Sequence, residues 1–250
     1  MAWAESRSAH FSARHEERES GQAAEVLDLL EGARDELSGL IGTPGEEVAV
    51  VIHGAAAGLA LAQPAFPVAY AVSAPAGRRY LAGWPGAREI HLLSPAVLAR
   101  RASGVPGSLE MLLLAPVALY VQLLCGMRNP ALPPPARPGS LRAAFRNAWL
   151  VAGIGQWLSG QTVHARPAIA RRLREGTRPA FPPAPSDALL LGGSVLDLLA
   201  AENGREAAVA LALEPPAPTP RETVARAFPG RPATEVEGAW RSHLARLAGS

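Results

Sequence analysis

The period of the apolar residues changes near Gly107, and this change constrains the fold more than any other feature of the sequence. Before this position, short β-branched runs alternate with helical patterns. After it, the apolar segments have the three- and four-residue spacing of helices. We therefore predict an α+β protein, with a small mixed α/β unit in residues 1–106 and an all-helical region in residues 107–250. A chain of 250 residues can form one large domain or two modest ones.

The first region contains four candidate strands, at residues 10–15, 48–52, 68–72 and 88–93. A long helix is predicted over residues 20–41, where the apolar residues share one face until Gly42. The segment Trp84-Pro85-Gly86 has the composition of a turn. Ser94, followed by a proline, is a typical helix start, with its hydroxyl as the expected cap.

The second region contains five candidate helices, at residues 108–125, 141–158, 167–174, 188–202 and 205–213. Two further starts, Thr219 with Glu222 and Thr234 with Glu237, fit the capping box, in which a hydroxyl and a carboxylate bind backbone amides reciprocally. The last helix is predicted to bury one stripe of residues: Val236, Trp240, Leu244 and Leu247.

Composition limits the classes of function. The sequence has 24 basic and 22 acidic residues, a formal net charge of +2, so we expect no nucleic-acid partner. Apolar residues make up 48% and charged residues 18%, which favours a soluble globular protein over a disordered one. Cys125 is the only cysteine, which excludes an internal disulfide and a thiolate metal cluster. Because it lies in an apolar helix, we expect an inert buried thiol.

The sequence gives little sign of a membrane protein. Residues 109–126 are mostly apolar, but Glu110, Pro116 and Gln122 interrupt them, so a buried core helix is favoured over a membrane span. The first seven residues contain no apolar run of the kind found in signal peptides, and a cytoplasmic location is therefore expected.

Two apolar helices have the layout of a zinc-peptidase active site. The first includes residues 112–121, and the second reads Trp149-Leu-Val-Ala152-Gly153. Around both, the chain resembles the gluzincin-type, peptidase MA-like metallopeptidases. In that family the first helix carries His-Glu-x-x-His, and the second carries a glutamate in a Trp-Leu-x-Glu-Gly context. The resemblance implies a zincin-like fold in which the two regions together form one domain.

Further segments in the same order extend the resemblance over nearly the whole chain. They are Ser8-Ala-His10-Phe11, the break at Gly42-Thr-Pro44, the segment Gly192-Gly-Ser-Val-Leu-Asp-Leu-Leu199 and the ending Glu237-Gly-Ala-Trp240-Arg241. The order and spacing of the set carry the resemblance, since no single segment is diagnostic.

The resemblance also implies that the catalytic residues are missing. The first motif aligns with Ala115, Pro116 and Leu119, and the second motif's glutamate aligns with Ala152. In a zincin two histidines and a carboxylate hold zinc, and the glutamate between the histidines deprotonates the zinc-bound water. None of the four residues here can bind zinc or accept a proton. We therefore expect no zinc and no cofactor, and we expect the former site to be part of the hydrophobic core. Pro116 should also kink its helix, because it has no amide to donate and crowds the preceding turn.

We therefore predict a catalytically inactive metallopeptidase homologue with a binding, scaffolding or assembly role. Its expected partner is a protein, either a catalytically competent paralogue or a second copy of the chain. Trp149, Trp157 and His164 are candidates to line the former substrate groove. One alternative is a hydrolase or metal-binding protein with a relocated site that uses His91, His164 and Glu110; another is a membrane-associated helical protein.

Three other groups of residues are of a type found in functional sites. The segment Ile52-His53-Gly54 after a strand is similar to an oxyanion loop, but the sequence has no Gly-x-Ser-x-Gly nucleophile elbow to use it. The remaining histidines, His10, His15 and His243, are expected to have structural roles. A basic cluster, Arg166, Arg171, Arg172, Arg174 and Arg178, is expected to be a solvated helix face, with an anionic partner as the alternative.

Overall fold

A computed structural model describes residues 2–132 and 140–249. In these ranges five strands form one sheet: β1 (Trp3–Arg7), β2 (Phe11–Glu16), β3 (Val48–His53), β4 (Gly83–Pro85) and β5 (Glu89–Leu93). A 3₁₀ turn, Glu17–Glu19, leads from β2 into the first helix.

The helices of the first region are α1 (Ser20–Leu37), α2 (Ala56–Ala62), α3 (Ala65–Val72), α4 (Pro75–Arg78) and α5 (Pro95–Arg101). Those of the second region are α6 (Ser108–Leu113), α7 (Ala115–Arg128), α8 (Ser140–Arg146), α9 (Ala148–Leu158), α10 (Gln161–His164), α11 (Arg166–Glu175), α12 (Ala188–Asn203), α13 (Arg205–Leu213), α14 (Pro220–Ala227) and α15 (Ala233–Gly249). A mixed α/β unit followed by helices is the α+β arrangement predicted from the sequence.

The sheet has the order β1-β2-β3-β5-β4. Its three central strands, β2, β3 and β5, are parallel, and the two outer strands, β1 and β4, each pair antiparallel with their neighbour. Of these, β3 and β5 are mostly apolar and largely buried, whereas β2 alternates between buried and more exposed residues. The strand β4 lies at one edge, and this places its three residues beside the second region.

The helix α7 connects the two regions by packing on the sheet. Tyr120 of α7 makes an edge-to-face contact with Phe11 of β2, with ring centroids 5.1 Å apart. Both rings are fully buried, as are Ile52 and Ile90 on the same face of the sheet. The buried apolar residues of both regions belong to one continuous cluster.

Glycines allow α9 and α12 to approach closely. A Cβ added at Gly153 would lie 2.6 Å from the carbonyl oxygen of Gly192, a separation that side chains do not tolerate. Gln156 of α9 also accepts a hydrogen bond from the Gly193 amide at 2.8 Å and donates to the Ala188 carbonyl at 3.2 Å. Gly153 is therefore required for the close packing of α9 against α12.

Several predictions for the second region are confirmed. Thr219 and Glu222 form the capping box at the start of α14, and the four-residue stripe of α15 is buried. The predicted helix over residues 108–125 is interrupted at Leu114, so that Pro116 lies in the first turn of α7, where its missing amide costs nothing. The helix α7 is largely buried in the core and α6 is half buried, and no described helix is long and apolar enough to cross a bilayer.

Other local predictions are wrong. Residues 68–72 belong to helix α3 instead of a strand, because the sheet edge they would need is taken by β4 and Pro64 starts a helix before them. The predicted turn at Trp84 is this edge strand, where a proline is tolerated because its missing amide removes no ladder bond. The strand β1 was not predicted, since it is largely exposed and has no apolar run.

Two predicted caps and one predicted helix also differ. The Ser94 hydroxyl makes no cap hydrogen bond at the start of α5. Because α15 already begins at Ala233, Thr234 lies inside the helix, and Glu237 pairs with Arg241 at 2.6 Å instead. The helix predicted over residues 141–158 is divided at Asn147 into α8 and α9.

Candidate functional site

A cavity of about 120 Å³ lies between the edge strand β4 and the helices α3, α7 and α9. Its wall is formed by Ala65, Ala69 and Val72 of α3, residues 80–85, Ala115, Ala118, Leu119 and Gln122 of α7, Ala144 and Phe145 of α8, Ala148, Val151, Ala152 and Gln156 of α9, and by Ser73, Gln161, Pro185, Ala188 and Leu189. Among residues 2–132 and 140–249, those that line the cavity are mainly apolar and include no charged residue, histidine or cysteine. These lining residues therefore offer none of the side-chain types that usually bind zinc.

Three of the four positions that the resemblance assigns to the catalytic site line this cavity. Ala115 and Leu119 are one turn apart on α7, and Ala152 comes from α9. Each is more than nine-tenths buried. Pro116 is also buried on α7 but is not part of the cavity wall. These positions therefore meet at one site, where their side chains are apolar.

Leu119 fills space beside the edge strand. A Cβ built on Gly83 would lie 2.6 Å from Leu119 Cδ1 and 2.2 Å from the carbonyl oxygen of His91. Only a hydrogen atom fits at position 83, so the backbone of β4 approaches α7 more closely than any residue with a side chain would allow.

The backbone of β4 presents polar groups to the side away from β5. The Leu93 amide donates to the Ala82 carbonyl at 2.9 Å, and the Gly86 amide donates to the Glu89 carbonyl at 2.7 Å. In an antiparallel ladder alternate residues bond to the neighbouring strand, so the amide and carbonyl of Gly83 and the carbonyl of Pro85 point outward. Both residues line the cavity and are buried, so this edge of β4, which pairs with no further strand of the sheet, is part of the cavity wall.

The three residues predicted to line a substrate groove lie elsewhere. Trp149 is buried in the core, Trp157 is partly buried and packs against it, and His164 is partly exposed on α10. None of them is in the cavity wall. On α9 the cavity wall is formed instead by Ala148, Val151, Ala152 and Gln156.

The alternative site proposed from His91, His164 and Glu110 is not assembled. His91 is buried in β5, whereas Glu110 is exposed on α6. No group of three or more His, Cys, Asp or Glu residues within 2–132 and 140–249 could hold a metal ion.

A buried histidine pair was missed by the sequence analysis. His53 Nε2 lies 3.1 Å from His91 Nδ1, and the two rings are stacked with centroids 5.3 Å apart. Glu89 Oε1 lies 3.0 Å from the other nitrogen of His91. Burial, together with the neighbouring His91, lowers the pKa of His53 to about 4. The two residues meet because β3 and β5 are adjacent parallel strands in which His91 pairs with Val51, two residues before His53. No pattern in the sequence indicates this register.

Two arginines of the basic cluster in the second region are paired with carboxylates. Arg172 makes two hydrogen bonds to the Asp187 carboxylate, at 2.8 and 2.9 Å, and both side chains are mostly buried. Arg171 pairs with Glu175 at 2.9 Å on the exposed face of α11. These pairs favour a structural interpretation of the cluster over an anion-binding site.

The chain matches no protein-family model, and comparison with curated proteins and with solved structures also gives no match. The assignment to a peptidase family therefore remains a prediction.

Proposed function

We propose that the protein is a catalytically inactive relative of the zinc metallopeptidases that binds an extended segment of a protein partner. The observation that carries this proposal is the meeting of Ala115, Leu119 and Ala152 in one cavity. Residues on two different helices share a site only if the fold brings them together. Their convergence supports the alignment that assigns zinc ligands to these positions.

The chemistry of the wall supports a binding role over catalysis. Zinc requires nitrogen, sulfur or carboxylate donors, and hydrolysis requires a proton acceptor near the attacking water. The wall offers instead mainly apolar side chains, with Ser73, Tyr80, Gln122, Gln156 and Gln161 as its hydroxyl- and amide-bearing residues. The Gln156 amide is used to hold α12, and that of Gln161 donates to the Met111 carbonyl, so neither is free to serve chemistry.

The edge of β4 that faces away from β5, in the cavity wall, supports an extended segment as the bound form. A peptide that adds to a sheet edge makes main-chain hydrogen bonds and places alternate side chains in adjacent pockets. Here Gly83 would supply the amide and carbonyl, and the cavity would accept an apolar side chain. A catalytically competent paralogue or a second copy of this chain are partners that could offer such a segment.

Selection of random peptides displayed on phage tests the proposal. Ala69 lines the cavity, whereas Ala71 on the same helix is exposed and does not. We expect selected peptides to bind the wild type and the Ala71→Trp variant equally. An indole in the cavity should weaken their binding to the Ala69→Trp variant by about tenfold or more. If no peptide is selected, or if selected peptides bind Ala69→Trp as well as wild type, the proposal is wrong.

A further inference from the structure

The helix pair α2–α3 presents an uncharged, apolar surface. Residues 54–77 contain no charged side chain. Within this stretch Leu61 is 86% exposed, and Val68, Tyr70 and Val72 are each more than 40% exposed. Single exposed apolar residues are ordinary, but four large ones in two consecutive helices without a charge are not.

This surface is held on a folded frame. Leu59 of α2 is fully buried, and Phe66 of α3 is 4% exposed. The Ser73 hydroxyl and amide both donate to the Ala69 carbonyl, which fixes the end of α3. The exposed side chains are therefore presented by an ordered part of the protein.

Four arginines lie beside the helix pair, and we call Arg78, Arg79, Arg100 and Arg101 the arginine cluster. The guanidinium of Arg78 lies 4.8 Å from the centre of the Tyr70 ring and donates to the Ser73 carbonyl. Arg101 donates to the carbonyls of Arg78 and Leu81, and Arg79 donates to the carbonyl of Arg101, which gathers three of the four side chains at one place. Arg100 is exposed on the same helix as Arg101.

The arginine cluster carries positive charge that carboxylates do not balance. None of the four arginines forms an ion pair within the described ranges. Glu89 is the only acidic residue between positions 54 and 109. The cluster is therefore unlike the basic residues of α11, two of which are paired with carboxylates.

We propose that the α2–α3 pair and the arginine cluster dock the protein on the surface of a membrane that contains anionic lipids. Exposed apolar side chains on short helices can enter the headgroup boundary, while nearby arginines bind lipid phosphates. Tyr70 combines a ring with a hydroxyl and lies against Arg78, an arrangement suited to that boundary. A partner of uniform negative charge is favoured over a protein surface of mixed charge because residues 54–109, which carry the helix pair and the arginine cluster, include a single acidic residue. The docking is peripheral and needs no spanning helix.

Co-sedimentation with vesicles tests this proposal. The probes are vesicles of phosphatidylcholine alone and vesicles of phosphatidylcholine and phosphatidylglycerol at about 2:1, the latter carrying the negative surface potential that attracts arginine. We expect the protein to sediment with the anionic vesicles and to remain in solution with the neutral ones. The double variant Arg79→Gln, Arg100→Gln should bind the anionic vesicles about 25-fold more weakly, since each arginine near such a surface contributes about a fivefold change.

A matched pair of variants separates the apolar surface from general effects of charge. Leu61→Glu should abolish sedimentation with the anionic vesicles. Val163→Glu introduces the same charge at an exposed residue of α10 and should leave it unchanged. The proposal is overturned if the wild type does not sediment with anionic vesicles, or if Leu61→Glu and Val163→Glu behave alike. It is equally overturned if the wild type forms an oligomer that Leu61→Glu dissociates while no vesicle binding is seen.

Discussion

Gly83 cannot carry a side chain while Leu119 keeps its present position, because a Cβ at residue 83 would lie 2.6 Å from Leu119 Cδ1. The same Cβ would lie 2.2 Å from the His91 carbonyl oxygen, which belongs to the sheet and cannot rotate away. Leu119, which under the proposed function occupies the position of a former metal ligand, thus packs directly against the edge strand β4.

Replacement of Gly83 by alanine should destabilise the protein. We expect Gly83→Ala to lower the free energy of unfolding by about 2 kcal/mol, because the backbone of β4 must shift. Urea denaturation measures this change. Gly104→Ala is the control, since nothing lies within 4 Å of a Cβ at that position, and it should change the stability by less than about 0.5 kcal/mol. Equal effects of the two substitutions would contradict the close contact between Gly83 and Leu119.

The two ion pairs of α11 should differ strongly in their contribution to stability. Asp187→Asn leaves Arg172 mostly buried without its carboxylate and should cost about 3 kcal/mol. Glu175→Gln removes the exposed partner of Arg171 and should cost less than about 0.5 kcal/mol. Urea denaturation of both variants gives the comparison, and a small loss for Asp187→Asn would contradict the buried pairing.

The buried histidine pair should make stability fall in acid. The folded protein lowers the pKa of His53 from its ordinary value of 6.5 to about 4, so the unfolded chain binds the proton more readily between these values. Stability from this group is therefore complete above pH 6.5 and is lost as the pH falls toward 4, by on the order of 2 kcal/mol. Denaturation at pH 7.5 and pH 4.5 measures the loss.

The variant His53→Gln should reduce the difference in unfolding free energy between the two pH values. His164→Gln, which changes a partly exposed histidine outside the pair, is the control and should keep the wild-type difference. If both variants keep it, the pair does not control the acid sensitivity.

Cys125 should be unreactive in the folded protein. Its side chain is almost fully buried, and burial raises the pKa of the thiol to about 12, so the reactive thiolate is scarce at neutral pH. We expect a thiol reagent such as iodoacetamide to modify the protein at pH 8 only after urea is added. Mass spectrometry follows the reaction. Rapid modification of folded protein would place the cysteine at the surface.

The sequence predicted those parts of the fold that depend on local periodicity. The helix α13 coincides with its predicted range, and the predicted disturbance at Pro116 is present, although as an interruption between α6 and α7 and not as a kink in one helix. The parts it missed depend on long-range pairing. Residues 68–72 have a strand-like composition, but whether they pair is decided by β4 occupying the edge of the sheet.

The candidate site was likewise predicted only in part. The motif spacing placed Ala115 and Leu119 on one helix face, and the resemblance added Ala152 from another helix. The histidine pair and the edge strand beside the cavity were not predicted, because His53 and His91 are 38 residues apart and meet only through the sheet register. Contacts between distant residues leave no periodic signal in one sequence.

Zinc content measured by mass spectrometry tests the central proposal most directly. The proteins are the wild type and a variant with Ala115→His, Pro116→Glu, Leu119→His and Ala152→Glu, each checked for folding by circular dichroism. We expect no stoichiometric zinc in the wild type and about one zinc ion per chain in the variant, because three ligands would then converge in the cavity. A control with Ala115→Gln and Leu119→Gln in place of the histidines should bind none. Stoichiometric zinc in the wild type would contradict the account. A variant with all four substitutions that folds but binds no zinc would also contradict it.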